Sequence, residues 1–294
     1  MTEKQTKSVT SAEEELDEIR SFIERQSGIL FDASRERFFS ARIREHMAEK
    51  RLAGGTDLIA HVRNSPAAYD ALLETLLTQE TSFFRYPAII EAFQKRVLPE
   101  MHRRKFWDNP RRLRVWSAAC ATGEEPYSIA IAIADALDLA DAWNIEILAT
   151  DISRRALRVA GRGVYPKRSL ANLSPQQMED YFSAGKDGYR VQPRICRMVS
   201  FGQMNLAQGV HVGRMDCIFC MNVLMYFSEQ RRHALIQRFH EHLEPGGYLF
   251  LGHAESVAQA PVKFETFLHG DCILYRKPGA QVAQSATAAV EESS

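Results

Sequence analysis

The sequence predicts an α/β protein in which a small all-helical domain precedes a Rossmann-like parallel sheet with a small inserted β subdomain. Before Pro87, every apolar pattern has the spacing of a helix. After it, short apolar runs alternate with helical segments, except from Tyr165 to about Phe201, where the runs are shorter. With 294 residues, 45% of them hydrophobic and 25% charged, the chain can bury the core of one large domain or two modest ones.

Three helices are identified in the first part, which we predict to be a domain over 11–86. Ser11–Glu14 has the pattern of a capping box, and the apolar residues after it keep helical spacing. A second helix is expected from near Ser34 to Gly54, and Ser65–Pro66 opens a third. The residues before Ser11 are polar, and we expect them to be frayed.

The second part, predicted as a domain over 87–278, is expected to hold parallel strands with helices between them. The predicted strands are Leu113–Trp116, Ile145–Thr150, Cys217–Cys220, Tyr248–Leu251 and Cys272–Tyr275. The predicted helices are Glu124–Leu139, Ser153–Gly161 and Ser228–Leu243, and a turn is expected at Pro245–Gly247. The inserted subdomain is predicted over 163–201, with a capped helix at Ser174 and β-like runs at 189–191 and 195–199. The tail 279–294 has too little apolar content to pack, so we expect it to be disordered.

Composition excludes several classes of protein. The 37 basic and 37 acidic residues balance, so no overall field attracts nucleic acid or a membrane surface. No apolar run reaches the roughly 20 residues that span a bilayer. The five cysteines do not suggest a disulfide framework, and Cys217 and Cys220 would point to opposite faces of a strand. We therefore expect a cytoplasmic protein with no nucleic-acid partner, no membrane insertion and no metal site.

A run of small residues follows the first predicted strand, at Ser117–Gly123. In α/β sheets this loop is where a nucleotide-like cofactor lies, because small side chains let the ligand approach the backbone. Glu124 and Glu125 follow at once, and two carboxylates would repel a pyrophosphate. They suit a cofactor that carries an ammonium or sulfonium charge. The loop is equally compatible with a tight turn whose glutamates are solvated.

Further candidate residues lie at the ends of the predicted strands. Asp151 is placed to accept ribose hydroxyls, although the Asp-x-Ser pattern also suits a helix cap. With Glu125 it describes a site for S-adenosylmethionine better than one for a nicotinamide or ATP. Asn205–Leu206 and Asn222 could bind the adenine or the amino acid, or simply form turns. Tyr226 lies four residues after Asn222 and could line the same crevice or merely pack.

Two arginine features are ambiguous on pattern alone. Arg85, in Thr81–Arg85, could orient a substrate carboxylate with its two-pronged guanidinium, or could belong to interdomain packing. Arg37, Arg44 and Arg51 are spaced by seven residues and so share roughly one helix face. Such a stripe is usually a solvated face; the functional alternative is a docking surface for an acidic helical protein.

Several motifs occur together and in order. They are Thr81–Arg85, Trp116–Ala119 through Thr122–Ser128, Ala149–Ile152, Asn205–Leu206, Phe219–Val223 through Tyr226–Phe227, and Gly252–Ser256. In this combination, over about residues 15–277, the sequence resembles the CheR-type chemotaxis receptor methyltransferases. The resemblance implies a methyltransferase that moves a methyl group from S-adenosylmethionine to glutamate side chains of methyl-accepting chemotaxis receptors. It also implies S-adenosylhomocysteine as the product and no metal, and we expect a monomer.

The resemblance assigns a role to each matching residue. Arg85 and Tyr226 would border the methyl-transfer point, Glu125 would bind the methionine amino group, and Asp151 the ribose. The remaining residues implied to contact the cofactor are Gln79, Thr81, Arg85, Asn205, Leu206, Cys220, Met221 and Asn222. The family's basic helix grips the receptor's cytoplasmic helical domain, which assigns that role to Arg37, Arg44 and Arg51.

Two positions depart from the family pattern. Gln79 stands where the family often has Asn, and Met221 where it usually has Arg. Met221 keeps a second hypothesis open, in which the chain is a catalytically weak, methyltransferase-like module that binds receptor or cofactor. A third hypothesis, methylation of RNA, is disfavoured by the neutral charge and the lack of a dense basic-aromatic surface.

Overall fold

The computed structural model describes residues 2–108, 111–137, 142–209 and 211–279, with side chains from residue 14 onward. Nearly all of the predicted disordered tail, 280–294, lies outside the described residues. No helix in the described part of the chain combines the length and the apolarity that a membrane span requires.

The first part of the chain forms four helices, α1 (Thr2–Ser27), α2 (Glu36–Lys50), α3 (Gly55–Arg63) and α4 (Pro66–Leu76). They share a core to which α1 contributes Ile19 and Ile23, and α4 contributes Leu72 and Leu73. The expected cap at Ser65 is confirmed, since its side chain accepts a hydrogen bond from the N–H of Ala68.

Two expectations for this part are wrong. Because α1 begins at Thr2, Ser11 lies inside the helix and cannot cap it. The short α3 was not anticipated, because the adjacent glycines at its start resemble a loop.

The second part begins with α5 (Pro87–Ala92), a π-helical turn (Phe93–Val97) and α6 (Leu98–Lys105), which follow one another without a break. Its central sheet has seven strands in the order β6-β2-β1-β7-β8-β10-β9. Their bounds are β1 (Arg112–Ala118), β2 (Asn144–Asp151), β6 (Val199–Gln203), β7 (Met215–Cys220), β8 (Leu243–Leu251), β9 (Glu265–His269) and β10 (Cys272–Arg276). The first five in spatial order run parallel, and β10 pairs antiparallel with both β8 and β9. The sheet is therefore mixed rather than wholly parallel.

Successive side chains of each strand point to opposite faces of the sheet, so the core forms two layers, one on each face. Val115 and Phe219 pack into the layer that contains α5, α6 and α7 (Glu124–Ala136). Their neighbours Trp116 and Ile218 pack into the opposite layer, which contains α11 (Glu229–His242). Both faces of the sheet are thus covered, as expected for strands that read as continuous apolar runs.

A second, three-stranded antiparallel sheet has the order β3-β5-β4 and forms the insertion. Its strands are β3 (Val164–Tyr165), β4 (Phe182–Gly185) and β5 (Gly188–Val191), and α9 (Pro175–Tyr181) carries the predicted capping box. The β-like run expected at 195–199 is wrong. Pro193 starts the helix α10 (Pro193–Cys196), and β6 then joins the main sheet beside β2. The inserted sheet therefore ends before Val199 rather than at 201.

Three further features of this part differ from expectation. Helix α7 ends at Ala136 rather than Leu139. Pro245–Gly247 does not form a turn but lies within β8, where the pairing with β7 shifts register and Gly246 has a φ of +74°. Strand β9 was not predicted, because its half-exposed side chains give no continuous apolar run.

Candidate active site

A cavity of about 380 Å³ lies where the carboxyl ends of the parallel strands meet the helical domain. Its walls include residues at or just after the ends of β1, β2, β6 and β7, namely 119–121, 151–152, 204–206 and 221–223. The connection between α4 and α5 supplies the wall from Leu77 to Tyr86. Ligands of open α/β sheets bind beyond the carboxyl ends of parallel strands, so a cofactor is expected here.

The loop between β1 and α7 takes an unusual backbone path along the cavity wall. Ala119 and Ala121 have φ values of +66° and +46°, a region that costs a residue with a Cβ about 1–2 kcal/mol. Two hydrogen bonds hold this path: Cys120 N donates to Thr150 O at 2.9 Å, and Ala121 N donates to Asp151 Oδ2 at 2.8 Å. Because alanine does not relieve this cost as glycine would, the small side chains here are explained by a close-lying ligand rather than by the backbone.

Glu125, in the first turn of α7, presents its carboxylate to the cavity. The Ser117 hydroxyl donates to Oε1 at 2.7 Å. Desolvation raises the pKa of Glu125 to about 7, the nearby Glu255 carboxylate acts in the same direction, and Arg85 opposes it. A bound ammonium group would favour the ionised form. Glu124, by contrast, is buried beside the loop and does not line the cavity, so only one of the two glutamates faces a ligand.

The position of Asp151 is compatible with both roles that the sequence suggested, a helix cap and an acceptor for ribose hydroxyls. It is 8% exposed, and its oxygens accept the backbone N–H groups of Ser153 and Ala121, each at 2.8 Å. It thereby supports the start of α8 (Arg154–Arg162) and holds the β1–α7 loop. Burial raises the pKa of Asp151, and its carboxylate still lines the cavity. Each oxygen retains a further acceptor position for a ligand hydroxyl.

Arg85 and Tyr226 both line the cavity. The guanidinium of Arg85 donates to Glu80 O at 2.6 Å and lies 5.6 Å from the centroid of the Tyr86 ring. The ring of Tyr226 lies 4.8 Å from the guanidinium carbon of Arg35, which belongs to the helical domain. Tyr226 therefore packs against the helical domain, whereas the contacts of Arg85 lie within its own connection; both residues line the cavity.

Asn222 has a φ of +63°, and its Oδ1 accepts the Tyr86 hydroxyl at 2.7 Å. The loop around it is held by Glu255, a residue for which the sequence predicted no role. Its carboxylate accepts four backbone N–H groups at 2.7–2.8 Å, those of Asn222, Val223, Leu224 and Gly252. The available signal was the Gly252–Ser256 motif, to which no role was assigned.

Gln79 connects the two parts of the chain. Its Nε2 donates to Ser153 Oγ at 2.9 Å and to Glu74 Oε2 at 3.1 Å, and both Gln79 and Thr81 line the cavity. The long side chain of Gln79 is thus committed to a contact between α4 and the start of α8. Sequence spacing gave no indication of Glu74, since it lies 79 residues before Ser153.

The other predicted cofactor residues divide into two groups. Asn205, Leu206 and Met221 line the cavity. Asn205 also donates to Gln26 O in α1 at 3.1 Å. Cys220 is completely buried in the core at the end of β7 and does not line the cavity.

The arginines predicted to dock a receptor lie away from the cavity. Arg37 and Arg44 are exposed on α2, and Arg51 is the exposed residue that ends it, with a φ of +55°. They form no ion pair with the described carboxylates. Their positions leave them accessible to a partner.

The donor set fits S-adenosylmethionine. Glu125 offers a carboxylate to an ammonium group, Asp151 offers acceptors to ribose hydroxyls, and the small side chains at 119–121 leave room for a flat ligand. No group of three or more potential metal ligands occurs among the residues that the structure describes.

Comparison with known proteins agrees with this geometry. The family description "CheR methyltransferase, SAM binding domain" matches residues 79–270, and "CheR methyltransferase, all-alpha domain" matches 14–77. The chain is 31% identical to chemotaxis protein methyltransferase 1 of Pseudomonas aeruginosa, over 91% of this chain and 99% of the relative. It is 33% identical to chemotaxis protein methyltransferase 2 of Vibrio cholerae, over 88% and 91% of the two chains. It is 38% identical to the chemotaxis protein methyltransferase of Salmonella typhimurium over 67% of each.

The two matched segments follow one another along nearly the whole described chain, and the first listed relatives are covered almost end to end. The cavity lies where these two segments meet, and its donors suit the cofactor named in the second description. The chain therefore belongs to the CheR family of S-adenosylmethionine-dependent methyltransferases.

Proposed function

We propose that this enzyme transfers a methyl group from S-adenosylmethionine to glutamate side chains of bacterial chemoreceptors, producing glutamate methyl esters and S-adenosylhomocysteine. The observation that supports it best is a single cavity lined by Glu125, Asp151, Arg85 and Tyr226. It unites acceptors for the cofactor with a guanidinium that can bind a substrate carboxylate.

We assign the cofactor contacts as follows. Glu125 pairs with the methionine ammonium, and Asp151 accepts hydrogen bonds from the ribose hydroxyls. Asn205, Leu206 and Asn222 hold the adenine side, and Gln79, Thr81 and Met221 complete the wall. Each of these residues lines the cavity, and Cys220 is removed from the set because it does not.

The chemistry needs no general base, because a substrate glutamate is already ionised at pH 7. Held by Glu125 and Asp151, the cofactor would supply a sulfonium methyl group to a carboxylate oxygen and would keep the C–S electron pair as a neutral thioether. Opposite charges are neutralised in this step, so a dry site favours it. Arg85 positions the carboxylate, and Tyr226 borders the transfer point and helps to exclude water.

The partner is the cytoplasmic helical domain of a methyl-accepting chemotaxis receptor, and the enzyme acts in the cytoplasm as a monomer. The exposed Arg37, Arg44 and Arg51 offer it a positively charged surface. Light scattering of the purified chain checks the monomer, since a dimer would double the mass.

Transfer of tritium from methyl-labelled S-adenosylmethionine onto a receptor's soluble cytoplasmic fragment tests the proposal. Label that base releases as methanol identifies a carboxylate ester. The second candidate is a catalytically weak module that binds receptor or cofactor, and the cavity position of Met221 favours it because an apolar side chain replaces the family's usual cation. That module would bind S-adenosylmethionine in a calorimeter but transfer no label.

A further inference from the structure

A groove of about 1200 Å³ lies between the helical domain and α8, separate from the active-site cavity. Helices α2 and α4 line one side of it, and α8 lines the other. Leu77, Thr78 and Gln79 line both the groove and the cavity, so the two spaces adjoin at the connection after α4. A substrate side chain that enters the cavity here would leave its flanking chain in the groove.

The carboxylates that line the groove already have partners within the protein. Three of them are ion-paired, in the pairs Glu45–Arg42 (2.9 Å), Glu49–Lys50 (2.7 Å) and Asp70–Arg154 (3.1 Å). The fourth, Glu74, accepts the Ser153 hydroxyl at 2.6 Å and the backbone N–H of Arg155 at 3.0 Å. The negative charge in the groove is therefore largely neutralised.

Two cations on the α8 side, by contrast, have no ion-pair partner among the described residues. Helix α8 buries Ala156 and Ala160 and leaves Arg155 and Arg158 exposed in the groove. Neither guanidinium is ion-paired with a carboxylate of the described residues. The groove therefore has an excess of available positive charge, although the whole chain has a formal net charge of zero.

A buried polar group on the opposite wall also lacks a partner. His46 of α2 lines the groove and is 2% exposed, and neither of its ring nitrogens has a hydrogen-bond partner among the described residues. Burial lowers the pKa of His46, so this wall adds a neutral imidazole and no further positive charge.

We infer that the groove receives the acidic helical segment that flanks the target glutamate of the receptor, with Arg155 and Arg158 of α8 pairing with its carboxylates. The inference rests on the proposed function, which makes the occupant a glutamate-bearing segment. It assigns part of the receptor-binding surface to α8, which belongs to the catalytic domain.

This wall is distinct from the Arg37–Arg44 stripe. On α2 the groove is lined by Phe38, Arg42 and Glu45, whereas Arg37 and Arg44 do not line it. Each of those two arginines lies one residue before a groove residue, which turns it about 100° around the helix. The two surfaces can therefore be tested separately.

The experiment measures transfer of labelled methyl groups by the full chain onto the soluble cytoplasmic fragment of a chemoreceptor from the same bacterium. Reversing both charges in R155E/R158E should raise the KM for the fragment about tenfold or more, because two attractive contacts become repulsive. The kcat, the Kd for S-adenosylmethionine and the Tm should stay near wild type. The matched control is R103E/R232E, which makes the same charge change at two exposed arginines that line neither the groove nor the cavity. Its KM should change less than about threefold, since distant surface charges are screened by salt.

Three other outcomes are possible, and each contradicts either the groove assignment or the proposed function. If both pairs raise the KM equally, the effect is one of overall charge and the groove assignment is wrong. If R155E/R158E leaves the KM unchanged while wild type transfers label, only this inference fails. If wild type binds the cofactor but transfers no label to any receptor fragment, the proposed function fails and the inference falls with it.

Discussion

At the residue scale, the site depends on charged groups held where water is scarce. The carboxyl of Glu125 has a pKa near 7 because its surroundings desolvate it. The carboxyl of Asp151 is buried as well, but two backbone N–H groups compensate it. A cationic ligand is therefore needed mainly at Glu125, which explains why an acid in this loop suits an ammonium group and not a phosphate.

The raised pKa of Glu125 makes cofactor binding depend on pH. Below about pH 7 the free enzyme holds a proton there that an incoming ammonium must displace, so affinity for S-adenosylmethionine should rise from pH 5.5 to 7. Titration calorimetry at pH 6 in buffers of different ionisation enthalpy should detect proton release on binding. Glu125→Gln should bind more weakly and release no proton. Proton release that persists in this variant would assign the titration to another group.

The same group affects folding with a sign that follows from its pKa. The folded-state pKa of about 7 lies above the ordinary value of 4.5, so the protonated form stabilises the fold and this contribution is lost as pH rises from about 4.5 to 7. The free energy of unfolding of the cofactor-free enzyme should fall over this range relative to Glu125→Gln, as measured by urea denaturation at several pH values. Parallel curves for the two proteins would contradict the assignment.

Arg85 is expected to act on the substrate more than on the cofactor. Arg85→Ala should lower kcat by roughly 100-fold through loss of orientation, while the Kd for S-adenosylmethionine changes little. Arg85→Lys keeps the positive charge but cannot form the bidentate contact with a carboxylate, so it should restore only part of the rate. Initial-rate kinetics and calorimetry separate these effects. Equal losses of rate and cofactor affinity would show that Arg85 is a cofactor ligand alone.

At the element scale, the connection from β1 to α7 sets the position of Glu125. Gly123 has a φ of +94°, and a Cβ there would lie 2.7 Å from the Cβ of Ala160 in α8. Gly123→Ala should therefore destabilise the protein by at least about 1–2 kcal/mol and weaken cofactor binding. Gly161→Ala is the control, since nothing lies within 4 Å of its added Cβ and its φ is ordinary. Equal stability of the two variants in urea would refute this account.

The loop after β7 depends similarly on Glu255. Glu255→Gln would aim an NH₂ group at backbone donors that now meet a carboxylate, which should cost about 1–3 kcal/mol. Because this loop carries Tyr226 and Asn222, kcat should fall as well. Glu265→Gln is the comparison, since Glu265 pairs only with a partly exposed Arg276 at 3.4 Å. Thermal unfolding and initial rates distinguish them; a Glu255→Gln enzyme with wild-type rates would contradict the proposed role.

At the scale of the whole molecule, the active site lies where the helical domain meets the domain that contains the seven-stranded sheet. Glu74 of α4 accepts hydrogen bonds from Ser153 and from the N–H of Arg155, at the start of α8. Removing it in Glu74→Ala should leave those donors unsatisfied and lower the Tm by several degrees. Glu49→Ala is the control, because it makes the same glutamate-to-alanine change but removes only an exposed ion pair with Lys50. Calorimetric scans in which both variants unfold alike would show that the junction contributes nothing.

Local chemistry made much of this architecture predictable. The caps at Ser65 and Ser174, the apolar strands of the parallel sheet and the small residues before Glu125 are all encoded within a few neighbouring positions. The helical cover of both sheet faces follows from the alternation of strands and helices, and the cavity residues at the ends of β1, β2 and β7 follow from the rule that the carboxyl ends of parallel strands share one edge. These features need no knowledge of distant contacts.

The fold class, the family resemblance and the type of cofactor could all be predicted from the sequence, because each rests on local periodicity or on short motifs. The groups that face the cavity became known only from the way the elements pack in space. The tertiary structure removed Cys220 from the cavity wall, separated Glu124 from Glu125 and identified Glu255 and Glu74, whose partners include groups 31–33 and 79–81 residues away along the chain. It also separated the α8 groove from the stripe on α2. Such contacts depend on how elements pack, and periodicity within one element carries no information about its neighbours in space.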